Sequence, residues 1–151
     1  MLRPIAIATL IAGTLDILFA IILTVAYGRH IPDMLRYVAS GPFPAATEMG
    51  AAAALLGLLV HFTLMAIIAA AYVWFASQPR REHLRTKPIR GGIAYGVTTY
   101  AIMNWIVVPL RFDTPLPPKP LSIAMQLFAH IVLVGIPIAL VAARHLEGRR
   151  A

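Results

Sequence analysis

The chain has 151 residues, of which 60% are hydrophobic and 13% charged, and its mean hydropathy is +0.79. A soluble domain carries about 25% charged residues, and a chain of this length has too little interior to bury so many apolar side chains. Water-soluble enzymes and disordered proteins are therefore excluded. The basic residues that give the net charge of +7 lie between apolar blocks, where contact with lipid head groups explains them better than binding to nucleic acid. The chain has no cysteine, which excludes disulfides and thiolate chemistry.

Four apolar blocks are long enough to cross a bilayer, which takes about 20 residues. They cover approximately residues 4–27, 49–76, 89–110 and 121–143. Each is apolar on all sides, as is typical of helices solvated by lipid. The first block exceeds the apolar part of a signal peptide and contains Asp16, so we expect a retained span. The sequence predicts one all-α domain over residues 1–151, a polytopic four-transmembrane-helix bundle.

The connection between the first two blocks is predicted to contain a short helix that Asp33 caps. Its apolar residues are expected at the bilayer surface: Met34, Leu35, Tyr37 and Val38. In the fourth block, Pro137 lacks an amide donor and is expected to kink the helix.

Basic residues are distributed unevenly between the two sides of the predicted bundle. The side of the termini has nine: Arg3, Arg80, Arg81, Arg85, Lys87, Arg90, Arg144, Arg149 and Arg150. The opposite side has four: Arg29, Arg36, Arg111 and Lys119. Because basic loops stay in the cytoplasm, both termini are predicted to be cytoplasmic.

A weak internal similarity relates the second and fourth blocks when they are aligned on their histidines. Residues 57–62 then match residues 126–131, with His61 opposite His130. The first and third blocks also share a basic-Pro-Ile start. The bundle is therefore a candidate for a duplicated helical hairpin.

Polar residues inside the predicted spans are the best indication of function, because a charged side chain at the bilayer centre costs about 2.5–3.5 kcal/mol. Helical spacing aligns them with small residues such as Gly92 and Gly96, and small residues let helices approach closely. Each predicted span thus has one face of small and polar residues, and we expect these four faces to surround a shared polar interior. The predicted cluster consists of Asp16, His61, Tyr100, Asn104, Gln126 and His130.

Three chemistries could use this cluster. His61 and His130 could ligate a b-type haem between two helices, in a haem or quinone redox protein. Asp16 with the two histidines also forms a two-histidine, one-carboxylate set suited to a transition metal. Finally, Asp16 beside His61 could take up and release protons in a proton-coupled small-molecule carrier. Against these stands a structural role, in which buried polar groups only hydrogen-bond the helices together at about 0.6 kcal/mol each.

Several segments carry a resemblance to a known group of proteins. They are residues 95–110, residues 39–41, residues 55–62 and the Gly13-x-x-Asp16 step. Over most of its length the chain resembles uncharacterised bacterial four-span inner-membrane proteins. The resemblance implies a bacterial inner-membrane location, and it brings no activity with it.

No nucleophile elbow, phosphate loop or paired-carboxylate motif is present, so a hydrolase is not predicted. The leading expectation is a non-enzymatic accessory or scaffold subunit, which contacts the lipid bilayer and packs against other membrane subunits or a second copy. The haem or quinone protein and the proton-coupled carrier are the alternatives.

The predicted topology is tested with reporters fused to the C-terminus. A fluorescent protein that matures only in the cytoplasm should be bright there, and alkaline phosphatase, which is active only outside, should be silent. An active phosphatase fusion would contradict the orientation.

Overall fold

The computed structural model describes residues 1–147, and all regular structure in this range is helical. Four helices are long and apolar enough to span a membrane. They are α1 (Leu2–Ala26), α3 (Ala51–Ser77), α5 (Pro88–Phe112) and α6, which consists of the consecutive stretches Pro120–Phe128, Ala129–Gly135 and Ile136–Glu147. The predicted all-α four-helix bundle is confirmed, and the duplication of a hairpin stays a prediction.

Two short helices lie in the connections. Helix α2 (Ile31–Ser40) follows α1, and α4 (His83–Thr86) precedes α5. The end of the bundle that carries the 27–50 and 113–119 connections is called the loop face below. The opposite end, with residue 1, residue 147 and the 78–87 connection, is called the terminal face.

The surface and the core have the composition of a protein in lipid. Large apolar side chains point outwards, for example Leu10, Leu55 and Leu110, which are 62%, 73% and 84% exposed. The core is built mainly of alanines around Tyr72, Val73 and Ile138. Since lipid tails are as apolar as leucine, the helices associate through close packing of small residues.

Helix α6 lies at the centre of the bundle and packs against α1, α3 and α5. Its contact with α5 depends on glycine. A Cβ atom on Gly96 would lie 2.6 Å from the Cα atom of Ile131, and one on Gly92 would lie 2.7 Å from the Cα atom of Ile136. Gly135 closes the same contact from the side of α6, with Gly96 N 2.9 Å from the position of a Cβ atom. The backbones therefore meet directly.

Two helices contain a stretch with wider π-helical turns, and each stretch comes just before or at a proline. Met103–Val107 precedes Pro109 in α5, and Ala129–Gly135 precedes Pro137 in α6. A proline lacks an amide hydrogen and clashes with the carbonyl group four residues earlier, and a π-turn is one way to relieve that clash. The wide segment before Pro137 contains His130, and the kink at Pro137 stays a prediction.

Helix α2 differs from the prediction in two respects. His30 takes the N-cap position, and Asp33 lies in the first turn, where its carboxylate accepts a hydrogen bond from Arg36. The helix also packs onto α3, with the Leu35 carbonyl carbon only 2.6 Å from the position of a Cβ atom on Gly57. Gly57 therefore lies in the contact between α3 and α2, and it does not face the predicted shared polar interior.

The C-terminal end of α2 is attached to the end of α5. Arg111 donates hydrogen bonds to the carbonyl oxygens of Ser40 and Gly41, and the ring of Phe112 stacks on Tyr37 with centroids 4.3 Å apart. A cation at a helix C-terminus satisfies carbonyl groups that have no partner within the helix. The first connection is thus fixed to the third span.

The glycine contact predicts the effect of Gly96→Ala. Alanine is intrinsically better in a helix by about 1 kcal/mol, but its methyl group would collide with backbone atoms of α6, which yield little. We expect a net loss of about 1–3 kcal/mol in the free energy of unfolding, measured by circular dichroism in detergent. Ala94→Leu is the control, because Ala94 is exposed on the same helix and should tolerate the larger side chain. Equal stability of Gly96→Ala and the unaltered protein would contradict the packing.

Candidate functional site

Asp16 and His61 form a pair in the middle of the bundle. Each lies ten residues from the loop-face end of its helix, α1 or α3, which is about 15 Å at 1.5 Å per residue. The His61 Nδ1 atom is 3.9 Å from the Asp16 Oδ2 atom. His61 is 8% exposed, and the Asp16 side chain is 21% exposed. The histidine is thus buried, while the carboxyl group retains access to the neighbouring space.

A backbone contact determines which nitrogen of His61 carries its hydrogen. The Nε2 atom lies 2.9 Å from the carbonyl oxygen of Gly13. Because a carbonyl oxygen only accepts hydrogen bonds, Nε2 must be the donor. In the neutral ring, Nδ1 then has a free lone pair, and this atom faces Asp16. The separation of 3.9 Å exceeds a direct hydrogen bond, so a proton would pass after a small approach or through one water molecule.

The position of Gly13 makes this contact available. A Cβ atom at Gly13 would lie 2.7 Å from the Cε1 atom of Phe62. Glycine therefore lets α3 approach closely enough for His61 to reach the α1 backbone. The Gly13-x-x-Asp16 step places the acceptor carbonyl and the carboxyl group one turn apart on the same helix.

His130 approaches the pair from α6, at a similar depth of ten residues from Pro120. Its Nδ1 atom lies 2.9 Å from the Gln126 carbonyl oxygen and donates to it. The free lone pair of neutral His130 is therefore on Nε2. Asp16 interacts electrostatically with both histidines. The ring of Tyr100, on α5, contacts His130 edge-on with centroids 5.9 Å apart.

The remaining residues of the predicted cluster lie further from the pair. The Asn104 side-chain amide donates to the Tyr100 carbonyl oxygen within α5, at 3.4 Å. The hydroxyl of Tyr100 accepts a hydrogen bond from Trp105. Gln126 lies one turn from His130 towards the loop face and lines a cavity. The polar stripe of α5 therefore meets α6 and does not join the Asp16–His61 pair directly.

The donor geometry bears on the transition-metal hypothesis. The free nitrogen of His61 is directed at a carboxyl oxygen 3.9 Å away, and a haem between His61 and His130 stays a prediction. Within residues 1–147, no three His, Asp or Glu side chains are arranged to hold a metal ion. The two-histidine, one-carboxylate hypothesis thus lacks the required convergence.

A cavity of about 590 Å³ opens at the loop face between α1, α2 and the start of α6. Its deepest residues, Ala20 and Gln126, lie one helical turn from Asp16 and His130. Arg29 and Lys119 are also in its lining, together with Tyr37. A second cavity of about 500 Å³ shares Arg29 and Tyr37 with the first. The cavity therefore ends about 6 Å, one helical turn, from Asp16 and His130.

Of the residues that line the cavity, the sequence predicts only Gln126 as a site candidate. Arg29 and Lys119 counted only towards topology, and Tyr37 was assigned to a surface helix. The signal that could have found them is the concentration of two cations and two tyrosines in connections that the bundle brings to one end. Burial raises the pKa of the Tyr37 phenol, an effect that Arg111 partly opposes, so Tyr37 stays a hydrogen-bond donor at neutral pH.

Comparison of the chain with protein-family models, curated proteins and solved structures finds no match. The class of the protein follows from the fold. Four apolar spans with outward-facing leucines define a multi-pass α-helical integral membrane protein.

The hydrogen bonds of the two histidines predict opposite tautomers. In protein labelled with ¹⁵N-histidine in bilayers at alkaline pH, His61 should carry its hydrogen on Nε2 and His130 on Nδ1. Solid-state nuclear magnetic resonance measures this directly from the nitrogen shifts, and His61→Gln and His130→Gln assign the signals. His30 in the exposed connection is the internal control and should show the solution mixture. The same tautomer at His61 and His130 would refute the assignment.

Proposed function

We propose that this protein is a proton-coupled carrier of a small molecule, with Asp16 and His61 as its proton-binding groups. The observation that supports this most is the orientation of the His61 Nδ1 lone pair towards the Asp16 carboxyl group, 3.9 Å away, with the cavity residue Ala20 one helical turn from Asp16. A purely structural role would not require two ionisable groups here, since a neutral hydroxyl could join the helices.

The pair holds one exchangeable proton in two arrangements. In one, a neutral carboxylic acid faces a neutral imidazole; in the other, a carboxylate faces an imidazolium. Both arrangements have zero net charge, so either is tolerated in a medium of low dielectric constant. Loss of the proton leaves one negative charge, which the electrostatic neighbour His130 can offset by taking up a proton.

The cavity would give this proton access to a solute. Because Ala20 lies one turn from Asp16, a solute in the cavity changes the dielectric environment and hydrogen bonding around the carboxyl group. Binding of the solute and of the proton are then linked, and the linkage is reciprocal. The basic residues predict cytoplasmic termini, and the resemblance implies a bacterial inner membrane; with this topology the loop-face cavity would open to the periplasm.

The accessory or scaffold role is the second candidate, and a specific feature of α5 favours it. This helix packs mainly on α6, so its opposite side remains uncovered, with Ile93, Val97 and Ile106 each more than 40% exposed. Lipid covers such a surface adequately, and so does a partner subunit or a second copy of the chain. Purification in a mild detergent separates these cases by the mass of the particle and its composition.

The carrier proposal is tested in proteoliposomes that contain a pH-sensitive dye. A panel of small organic acids, amines and neutral solutes is added outside at acidic pH, and the lumen should acidify when a substrate enters with a proton. Asp16→Asn is nearly isosteric and should abolish the coupled acidification. Asp113→Asn is the matched control, because Asp113 lies at the loop face in a left-handed turn that asparagine also adopts.

His61→Gln provides a second variant, since glutamine retains a donor for the Gly13 carbonyl group and removes the proton-accepting nitrogen. Circular dichroism establishes that both variants fold. Acidification by Asp16→Asn at the rate of the unaltered protein would reject the proposal. A stoichiometric partner in the purified particle, with no coupled flux for any solute, would support the accessory role instead.

A further inference from the structure

We propose that the loop-face cavity is a binding site for the anionic group of a small amphipathic molecule, with Arg29 and Lys119 as its cationic residues. This inference rests on the carrier function proposed above and names the chemical class of its substrate. The shared chemistry is a single carboxylate or phosphate attached to an apolar or aromatic body. Such an anion reaches the site either as a free solute or as the head group of a lipid.

The charge of the cavity lining is positive. Its twelve lining residues include Arg29 and Lys119 and no Asp or Glu. Asp33 lines the adjoining cavity and forms an ion pair with Arg36. Among the described residues 1–147, Arg29 and Lys119 have no side-chain hydrogen bond or ion pair to the protein, so both are available to an external anion.

The N-terminus of α6 contributes to the same cavity as a second, independent feature. Leu121 and Ser122 belong to the first turn of this long helix and line the cavity. Their backbone N–H groups have no acceptor within the helix, and the helix dipole favours a negative charge at this end. Lys119 is the residue just before the helix, so the side-chain charge and the N–H groups lie at one end of the cavity.

The rest of the lining suits an apolar body. Leu23, Met34 and Met125 provide apolar surface, and Tyr27 and Tyr37 provide aromatic rings. The volume of about 590 Å³ is within the range of about 300–1,000 Å³ usual for sites of small molecules. An aromatic monocarboxylate therefore satisfies both parts of the lining.

Transport together with a proton is also consistent with an anionic substrate. A monocarboxylate carries one negative charge, and one proton transferred through the Asp16–His61 pair compensates it. The solute and the proton then cross together without net movement of charge. An amine would instead add a positive charge to a cavity that already has two.

The experiment measures binding to the protein in phosphatidylcholine nanodiscs by isothermal titration calorimetry at neutral pH. Benzoate is the anionic probe, and benzylamine is a cation of similar size and shape. Benzoate should bind and benzylamine should not. Arg29→Gln and Lys119→Gln should each weaken benzoate binding about tenfold, as expected for one charge-assisted hydrogen bond. Arg3→Gln is the control, since Arg3 is an exposed cation on the terminal face, away from the cavity, and it should leave the affinity unchanged.

A second arm distinguishes a solute from a lipid head group. In nanodiscs that contain phosphatidylglycerol, native mass spectrometry counts the retained anionic lipids. If a lipid occupies the site, phosphatidylglycerol is retained by the unaltered protein, is lost from Arg29→Gln, and lowers the apparent affinity for benzoate. If the site takes a solute, the lipid has neither effect. Either result supports the anion site.

Benzylamine binding as tightly as benzoate would overturn the inference. It would also be overturned if neither benzoate nor phosphatidylglycerol showed binding that depends on Arg29 and Lys119. The two proposals fail separately. Benzoate binding without benzoate-driven proton uptake rejects the carrier function and leaves the site standing. Proton-coupled flux that is lost in Asp16→Asn but unchanged in Arg29→Gln and Lys119→Gln rejects the anion site alone.

Discussion

A hydrogen bond across the bundle, from His61 Nε2 to the Gly13 carbonyl oxygen, joins α1 to α3 at the depth of the only carboxyl group in the two helices. It requires a glycine where Phe62 passes α1, because a side chain there would separate the helices. It also fixes the ring, so that the basic nitrogen faces Asp16. The position of the helices, the tautomer of His61 and the direction of its free lone pair thus depend on one backbone acceptor.

The contact between α5 and α6 supports this centre from the other side. Backbone packing through Gly92, Gly96 and Gly135 holds the stretch of α6 that contains His130. Because these contacts are between main-chain atoms, they have little freedom to adjust, and His130 is held at its depth by its neighbours and by its own bond to the Gln126 carbonyl group. Alanine and glycine therefore determine how closely the helices pack in this region. The large apolar side chains on the outer surface make the bundle compatible with lipid.

The sequence predicted the four spans closely, because a lipid-solvated helix is recognisable from its length and apolarity alone. It also singled out Asp16, His61 and His130 as site candidates, since ionisable residues are rare in such helices, and their function stays a prediction. In α6 the buried residues Ala129, Val134 and Ile138 follow steps of five and four. A regular period of 3.6 fails across the π-helical stretch before Pro137. The cavity was missed because its lining comes from four separate segments, which only the packing of α2 brings together.

The attachment of α2 to Arg111 has a mechanical consequence. The first connection, which provides Tyr37 and Met34 to the cavity mouth, is anchored to the end of α5 through two hydrogen bonds and a ring stack. Helix α5 itself is held by α6, which carries His130. The position of Tyr37 and Met34 beside the cavity therefore depends on the contact between α5 and α6, although neither residue touches that contact.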